Sequence, residues 1–456
     1  MSSELTREAV YLMEKDLTVG KEGQAILLFT LPMIGANLLQ VLYTFVDSVI
    51  VGNFVSATAL GAVGISSPLM WLLLAMANGA GTGTSIIISQ YYGARKHVDI
   101  RRTTTTSILF AAALGMILTL ICLFTGKYIL WDFLGTPQEM QKLSYTYFAI
   151  YSCGLIFQFL YNVLYGILRA LGNSKGALLF LFVAAVLNIL LDLLFVVSFG
   201  WGVAGAALAT VIAQAGSAAA SALYLWTAFP HMRFKPRELT FDGEKLKLIL
   251  KLGIPVTMQS AVMAFGFILL QRLVNSFGPA SIEGFVAMNK TEQIAHIPSN
   301  SFHAAMANFT GQNIGAYKID RVKRGYKLTL LMANSICLVL SVFLILFDTS
   351  LLSLFNISGD SMLRAREHLN IIACFLVVSA TNHVTSGLLQ GAGDVKIPAI
   401  ASFVNLSIRL IVAFIMASTI IDFRSIYLSL PPAWLIACAI SIIRYRSGIW
   451  KNKAVS

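Results

Sequence analysis

The stretch AILLFTLPMIGANLLQVLYTFVDSVIVGNF occupies residues 25–54, and LILKLGIPVTMQSAVMAFGFILLQRLVNSF occupies residues 248–277. Each run is predominantly apolar and longer than the roughly 20 residues that a helix needs to cross a bilayer. Pro32 in the first run corresponds to Pro255 in the second, at an offset of 223. The two runs therefore predict two spanning helices at equivalent places in a repeated sequence.

The composition of the whole chain is that of a membrane protein. Hydrophobic residues make up 57% of the 456 residues and charged residues 12%, whereas an ordinary soluble domain carries about 25% charged residues. The mean hydropathy is +0.76, so lipid must surround most of the surface. Twelve segments are predicted as spanning helices: 24–51, 57–92, 101–126, 140–169, 176–199, 202–229, 245–276, 280–315, 325–347, 364–390, 396–420 and 425–445.

Two of the predicted spans, 57–92 and 280–315, are longer than a simple span requires. Each contains a point where a helix can bend, Gly79-Ala80-Gly81-Thr82-Gly83 in the first and Pro298 in the second. We expect a bend at each point. If both spans broke into two, the chain would have fourteen spans, so the count needs a second test.

The positions of the basic residues favour twelve spans and orient the chain. With the N-terminus inside, the inner segments hold 25 of the 33 Lys and Arg residues, and the outer segments hold 5. The other three, Arg272, Lys290 and Arg409, lie within spans. Because basic residues concentrate in cytoplasmic loops, this split predicts a multi-pass protein of the inner or plasma membrane with both termini in the cytoplasm. Charges placed between apolar spans indicate contact with anionic lipid and argue against a nucleic-acid partner.

The repeat continues along the chain. SQYYGARK at 89–96 matches GQNIGAYK at 311–318 at an offset of 222, and GILRALGNSK at 166–175 matches GLLQGAGDVK at 387–396 at an offset of 221. Since each half holds six spans, both halves enter the membrane in the same direction, as in transporters that rock about a central cleft.

The predicted fold is an all-α polytopic membrane protein of two parallel six-helix lobes. Its predicted parts are an N-terminal tail at 1–23, an N-lobe at 24–230, a cytoplasmic linker at 231–244, a C-lobe at 245–446 and a C-terminal tail at 447–456.

Acidic side chains in the first half predict a cation site. Asp47 lies in the first span, and Asn188 and Asp192 lie four residues apart on one face of the fifth. Thr210 in the sixth span can add a hydroxyl. Hard cations prefer oxygen ligands, and a carboxyl in a low-dielectric site also binds a proton readily. Ionisable groups in mid-membrane are usually functional. This favours a coupling site over the alternative that Asp47 lies at headgroup level while Asp192 pairs with a neighbour.

The second half does not repeat this cluster. Leu270, Arg409 and Ala413 stand at the positions equivalent to Asp47, Asn188 and Asp192. Glu292 and His296 share a helix face, but they are an incomplete ligand set for a metal. A polar lining of a water-filled cleft is the favoured interpretation, and the alternative is that Glu292 only neutralises Lys290 or Arg272. The polar residues of these spans are Arg272, Lys290, Glu292, His296, His303 and His383.

Further polar residues of both halves are candidates for a substrate cavity. Pro32 and Pro255 fall within spans, where each frees a backbone carbonyl and predicts a bend. The chain contains no Walker loop, no Gly-x-Ser-x-Gly elbow and no His-Glu-x-x-His pair, which argues against a membrane-embedded enzyme. The cavity candidates are Gln40, Tyr43, Asn162, Gln271, Arg272, Glu292 and His296.

On these residues the chain resembles the multidrug and toxic compound extrusion (MATE) family over nearly its whole length. The resemblance implies an N-lobe and a C-lobe around a central cavity, and export of organic cations or related amphiphiles driven by inward proton or sodium flow. It also implies that Asp47, Asn188, Asp192 and Thr210 form the N-lobe cation site of one subgroup. The matching features are Leu31-Pro32, Phe45-Val46-Asp47, LRALGNSK at 168–175, GQNIGA at 311–316 and the six-plus-six repeat.

The chain departs from the family in its second half. The seventh span has no acid where another subgroup places a glutamate, and Gln271 and Arg272 are the polar groups there. Glu292, His296 and His303 match no pattern that can be carried over.

The leading hypothesis is a monomeric antiporter of small molecules. It uses H⁺ or Na⁺ as coupling ion and needs no other cofactor. The alternative is a lipid-linked oligosaccharide flippase of the same superfamily, which Arg272, Lys290 and Arg409 keep open.

Overall fold

The computed structural model describes residues 16–229, 240–355, 357–420 and 423–454, and these contain helices and connecting turns but no β-strand. The predicted all-α class is therefore confirmed. The helices are α1 (Glu22–Phe54), α2 (Ala57–Gly93), α3 (His97–Tyr128), α4 (Gln138–Cys153), α5 (Leu155–Ala170), α6 (Ser174–Asp192), α7 (Gly202–Ala228), α8 (Gly243–Asn275), α9 (Pro279–Ala295), α10 (Ile297–Gly315), α11 (Ile319–Leu346), α12 (Asp348–Ser353), α13 (Gly359–Gly391), α14 (Lys396–Ile420), α15 (Arg424–Leu428) and α16 (Leu430–Ser447).

Each of the twelve predicted spans coincides with one helix or with two consecutive helices. Within the described residues, ten helical segments are long and apolar enough to cross a membrane, and α4 with α5, bent by 49°, makes an eleventh. The predicted span 280–315 corresponds to α9 and α10, and it lies outside these eleven segments. The structure is that of a polytopic helical membrane protein.

The two expected bends differ. In the second half the helix stops at Ala295 and restarts at Ile297, with Pro298 in the first turn of α10, where the missing N–H costs no hydrogen bond. In the first half α2 runs uninterrupted through the glycine-rich stretch. Those glycines serve packing instead, since a Cβ added to Gly81 would lie 2.5 Å from the carbonyl oxygen of Asn162.

The repeat is visible in the backbone. Arg95 and Tyr317, at an offset of 222, are the two described non-glycine residues with positive φ, at 56° and 58°. Gly172 and Gly393, at an offset of 221, have φ of 82° and 88°. Few residues adopt this left-handed conformation, so its recurrence at equivalent positions marks equivalent helix ends in the two halves.

One helix crossing also recurs. A Cβ added to Gly166 of α5 would lie 2.4 Å from the carbonyl oxygen of Gly81 in α2. A Cβ added to Gly387 of α13, 221 residues later, would lie 2.3 Å from the carbonyl oxygen of His303 in α10. Small residues let helices approach closely in membranes, and both halves use a glycine at this crossing.

The helices pack as two compact units that differ from the two halves of the sequence. The first unit comprises Gly35–Thr257, and the second comprises Leu17–Ile34 together with the described residues from Met258 onward. The helices with prolines at equivalent positions, α1 and α8, are thus each shared between the units. The division falls two residues after Pro32 and two residues after Pro255.

Candidate functional site

The first unit brings two of the predicted acids together. Asp47 on α1 and Asp192 at the end of α6 face each other, and their carboxyl groups interact directly. Asp192 is fully buried, and Asn188, one turn earlier on the same face of α6, is 3% exposed. The structure therefore brings the acids of the first and fifth spans side by side.

Apolar packing one turn beyond the acids holds them in apposition. Ile50 and Val51 of α1 pack in one cluster with Tyr147 of α4, Val196 and Ala206. Val196 lies four residues after Asp192, in the π-helical stretch Leu193–Ser198 that continues α6. π-Helical turns are rare and concentrate at functional sites. This apolar cluster fixes the position of α1 relative to the end of α6, and so the positions of the two carboxyl groups.

These buried polar atoms lack protein partners among the described residues. Both carboxyl oxygens of Asp192, Oδ1 of Asp47 and both side-chain polar atoms of Asn188 make no hydrogen bond. An unsatisfied buried polar group costs about 1–3 kcal/mol, and a charged one more. Two carboxylates can only accept hydrogen bonds, so neither can satisfy the other. The geometry suits either H⁺ or a small cation with oxygen ligands.

Thr210 is engaged differently. Its hydroxyl donates to the carbonyl oxygen of Ala206 in its own helix, at 3.1 Å. Ala206 belongs to the apolar cluster beside the acids, so Thr210 lies one turn from that cluster. A role for its remaining lone pairs in cation binding stays a prediction.

Two tyrosines of this site were not predicted from the sequence. Tyr147, which is buried, lies within electrostatic reach of both Asp47 and Asp192. Its ring stacks on Tyr151 with the centroids 6.4 Å apart, and Gln158 donates to the Tyr151 hydroxyl at 2.9 Å. The four-residue spacing of the tyrosines on a polar stretch of α4 was the available signal.

The predicted cavity residues of the first unit occupy varied positions. Tyr43 lies one turn before Asp47 and within its electrostatic reach. Gln40, a further turn away, is exposed. Asn162 donates from its amide to the carbonyl oxygen of Gln158 at 2.8 Å. Tyr43 is thus the one of these candidates whose place beside an acid is visible.

In the second unit, Glu292 is the centre of a half-buried group of ionisable side chains. His296 Nε2 lies 3.5 Å from its Oε1, and Arg409 and His368 also interact with it electrostatically. Lys290 and Arg272 are exposed. Among the described residues, Glu292 therefore interacts with His296, Arg409 and His368, and not with Lys290 or Arg272 as the alternative interpretation of the sequence had it. Gln271 donates from its amide to Asn275 at 2.9 Å.

Two further histidines, His383 and His303, lie next to the group around Glu292. The rings of His296 and His383 are 5.8 Å apart, and those of His383 and His303 are 6.3 Å apart. His303 also contacts the Gln390 side chain at 3.1 Å. His368, fully buried and without a hydrogen bond on either ring nitrogen, was missed in the sequence although it lies in a predicted span. No set of three or more His, Cys, Asp or Glu side chains in the described chain is placed to hold a metal ion.

Glu292→Gln is expected to destabilise the protein by about 1–3 kcal/mol, since it removes the carboxylate that interacts with the half-buried Arg409 guanidinium. Adding Arg409→Met should recover most of the loss. Thermal unfolding in detergent measures both. Glu283→Gln, on the same helix but exposed, is the matched control. A double variant no more stable than the single one would contradict the pairing.

A duplicated set of spanning helices with a buried acid pair in one half defines a polytopic membrane transporter with an internal repeat. The chain belongs to the MatE family, whose sequence model matches it twice, over residues 32–194 and 255–415. The matches begin 223 residues apart and end 221 apart, which are the offsets of the internal repeat. The predicted MATE resemblance is confirmed.

Relatives cover nearly the whole chain. The "Probable multidrug resistance protein YpnP" of Bacillus subtilis is 30% identical, over 96% of this chain and 97% of its own. The "Multidrug export protein MepA" of Staphylococcus aureus is 24% identical, over 90% of this chain and 89% of its own. A crystal structure described as MATE in the bent conformation has a TM-score of 0.89 and 24% identity, covering 98% of this chain and 99% of that one. The last likeness shows the fold.

Proposed function

We propose that this transporter is a cation-coupled antiporter that exports organic cations or amphiphilic drugs and metabolites by alternating access. The observation that carries the proposal is the apposition of the half-buried Asp47 and the fully buried Asp192, whose unpaired oxygens lack a hydrogen-bond donor among the described residues. The names of the relatives, multidrug resistance and multidrug export proteins, support the substrate class.

The coupling cation supplies the free energy difference between two arrangements of the site. An H⁺ or Na⁺ entering from outside neutralises the pair and favours the arrangement in which the carboxyl groups meet. Without a cation, two buried carboxylates repel each other and favour separation of α1 from α6. A ligand can shift a conformational equilibrium only through such a differential interaction. Repacking of α1 then releases the substrate outward.

The test is efflux of a fluorescent organic cation from proteoliposomes, with proton and sodium gradients imposed separately. We expect one of the two gradients to drive efflux against the substrate gradient. Efflux that follows only the substrate's own gradient under both conditions would rule out coupling.

The distribution of Lys and Arg supports an inside location of both termini in the cell membrane, and a single chain carries the complete acid pair. We therefore propose a monomer. Small molecules are its substrates and membrane lipid is its surroundings, with no enzymatic step.

The flippase alternative requires a basic cavity. Of its three basic residues, Arg409 is electrostatically paired with Glu292, and Arg272 and Lys290 are exposed. This arrangement favours the antiporter. Flipping of a headgroup-labelled lipid in vesicles tests the alternative directly.

Pro32→Ala is expected to slow efflux while leaving binding of the coupling cation nearly intact. Proline frees a backbone carbonyl and permits a bend in α1, whereas alanine stiffens the helix without touching the acids. Efflux rates and cation binding by calorimetry measure the two effects. Pro68→Ala, in the interior of α2, is the control, and an unchanged efflux rate in Pro32→Ala would remove the bend from the mechanism.

A further inference from the structure

The segments leading into α1 and α8 are held at equivalent places by the two units. We call residues 17–22 the first strap and residues 240–245 the second strap. They are related by the repeat offset of 223. The first strap belongs to the second unit, and the second strap belongs to the first unit. Each strap therefore docks on helices of the opposite half of the sequence.

The first strap is held through its backbone. The N–H of Leu17 donates to Gln312 Oε1 at 2.9 Å, and the Asn313 amide donates to the Leu17 carbonyl oxygen at 3.2 Å. The Arg321 guanidinium donates to the carbonyl oxygens of Val19 and Gly20, at 2.7 Å each. Leu17 is fully buried.

An ion pair closes the first strap. Glu22 Oε1 lies 3.5 Å from Arg321 and 2.9 Å from Arg324. Arg321 is 9% exposed and also lies over the ring of Phe309. One buried arginine thus joins the strap backbone to the first turn of α1.

The second strap is held in the same manner. The Thr105 hydroxyl donates to the carbonyl oxygen of Thr240 at 3.1 Å. Lys245 Nζ lies 2.6 Å from Asp99 Oδ1, donates to the Tyr91 hydroxyl at 2.9 Å and stands over that ring. In both straps a carbonyl at the equivalent position, 17 or 240, accepts a side-chain hydrogen bond.

Of the three ion pairs, Glu22–Arg321 and Lys245–Asp99 lie at equivalent positions and are opposite in sign. Glu22 corresponds to Lys245 at an offset of 223, and Asp99 corresponds to Arg321 at an offset of 222. The negative residue lies in the strap in one unit and on the docking helix in the other. Docking of either strap in the wrong unit would place Glu22 against Asp99, or Lys245 against Arg321. Like charges at matched positions exclude a wrong partner.

We propose that this reversed polarity is a docking code that directs each strap to the opposite half of the molecule. The docking surface of the second unit, around Arg321, accepts an acidic strap. The docking surface of the first unit, around Asp99, accepts a basic one. Each docked strap anchors the start of a helix whose proline lies a few turns further on. Rearrangements of α1 and α8 are therefore confined to the regions of Pro32 and Pro255.

Hydrogen–deuterium exchange of the full chain in detergent micelles, followed by mass spectrometry, tests the code. Lys245→Glu should raise the population of the undocked second strap at least about tenfold. The substitution places two carboxylates against each other at Asp99, and a tenfold change needs only about 1.4 kcal/mol. Uptake should rise in peptides covering 240–245 and stay unchanged in 17–22. Adding Asp99→Lys should restore protection. Lys247→Glu, on an exposed neighbour, is the control of equal charge change.

A second variant tests polarity alone. Exchanging the two strap residues, Glu22→Lys with Lys245→Glu, leaves composition and net charge unchanged. We expect faster uptake in both straps. Unchanged protection in this variant, or no rescue of Lys245→Glu by Asp99→Lys, would overturn the proposal. Neither readout depends on transport, so the outcome is independent of the antiporter proposal.

Discussion

Asp47→Asn is expected to abolish gradient-driven efflux while leaving the folded protein and substrate binding in place. The amide has the shape of the carboxyl group but cannot carry the charge that a coupling cation neutralises. At least about a tenfold fall in the driven rate is expected, which corresponds to about 1.4 kcal/mol. Asp192→Asn should have the same effect, because the two carboxyl groups act as one site. Efflux under an imposed gradient measures both.

Asp132→Asn is the matched control, because it makes the same chemical change on an exposed residue of the same unit. Its driven efflux should equal that of the unchanged protein. Full driven efflux in Asp47→Asn would refute the assignment of the pair. A loss accompanied by a lowered melting temperature would instead indicate that the substitution damaged folding.

Gly81→Ala is expected to destabilise the first unit by about 1–3 kcal/mol, the usual cost of overpacking. Its new Cβ would meet the Asn162 carbonyl oxygen at 2.5 Å, and backbone cannot move aside cheaply. Gly166→Ala, on the other side of the same crossing, should act similarly, since its Cβ would meet the Gly81 carbonyl oxygen at 2.4 Å. Thermal unfolding in detergent measures the change.

Gly64→Ala in the same helix is the control. A Cβ there meets nothing within 4 Å, and alanine is a better helix former than glycine by about 1 kcal/mol. Its stability should stay the same or rise. Equal destabilisation at residues 64 and 81 would mean that the close crossing of α2 and α5 is not what Gly81 provides.

The site residues that could be predicted from the sequence are those of a type that is rare in membrane-spanning helices. Acids in apolar spans are few, so Asp47 and Asp192 stand out, and the structure brings these two acids together. Tyr147 is one of 15 tyrosines in the chain, so its four-residue spacing from Tyr151 was a weak signal until its neighbours were known. The helical class and the repeat were predictable because apolar length and a constant offset are properties of the chain itself.

Pairings between distant segments were not predictable. Arg409 stands opposite Asn188 in the repeat, and only the packed helices show its interaction with Glu292. Arg321 counted among the basic residues of an inner loop, whereas it is buried and bonded to the backbone of residues 17–20. A loop charge and a buried docking residue look alike in sequence, because burial depends on which segment returns to cover them.

The straps differ in when they can form during synthesis. The partners of the second strap, such as Asp99 146 residues earlier, are already made when Lys245 emerges. The first strap emerges at the start, and its partner Gln312 follows 295 residues later. At about 5–20 residues per second, that delay is on the order of tens of seconds. The start of α1 must stay undocked through this interval, so the second unit is completed only after most of the chain has left the ribosome.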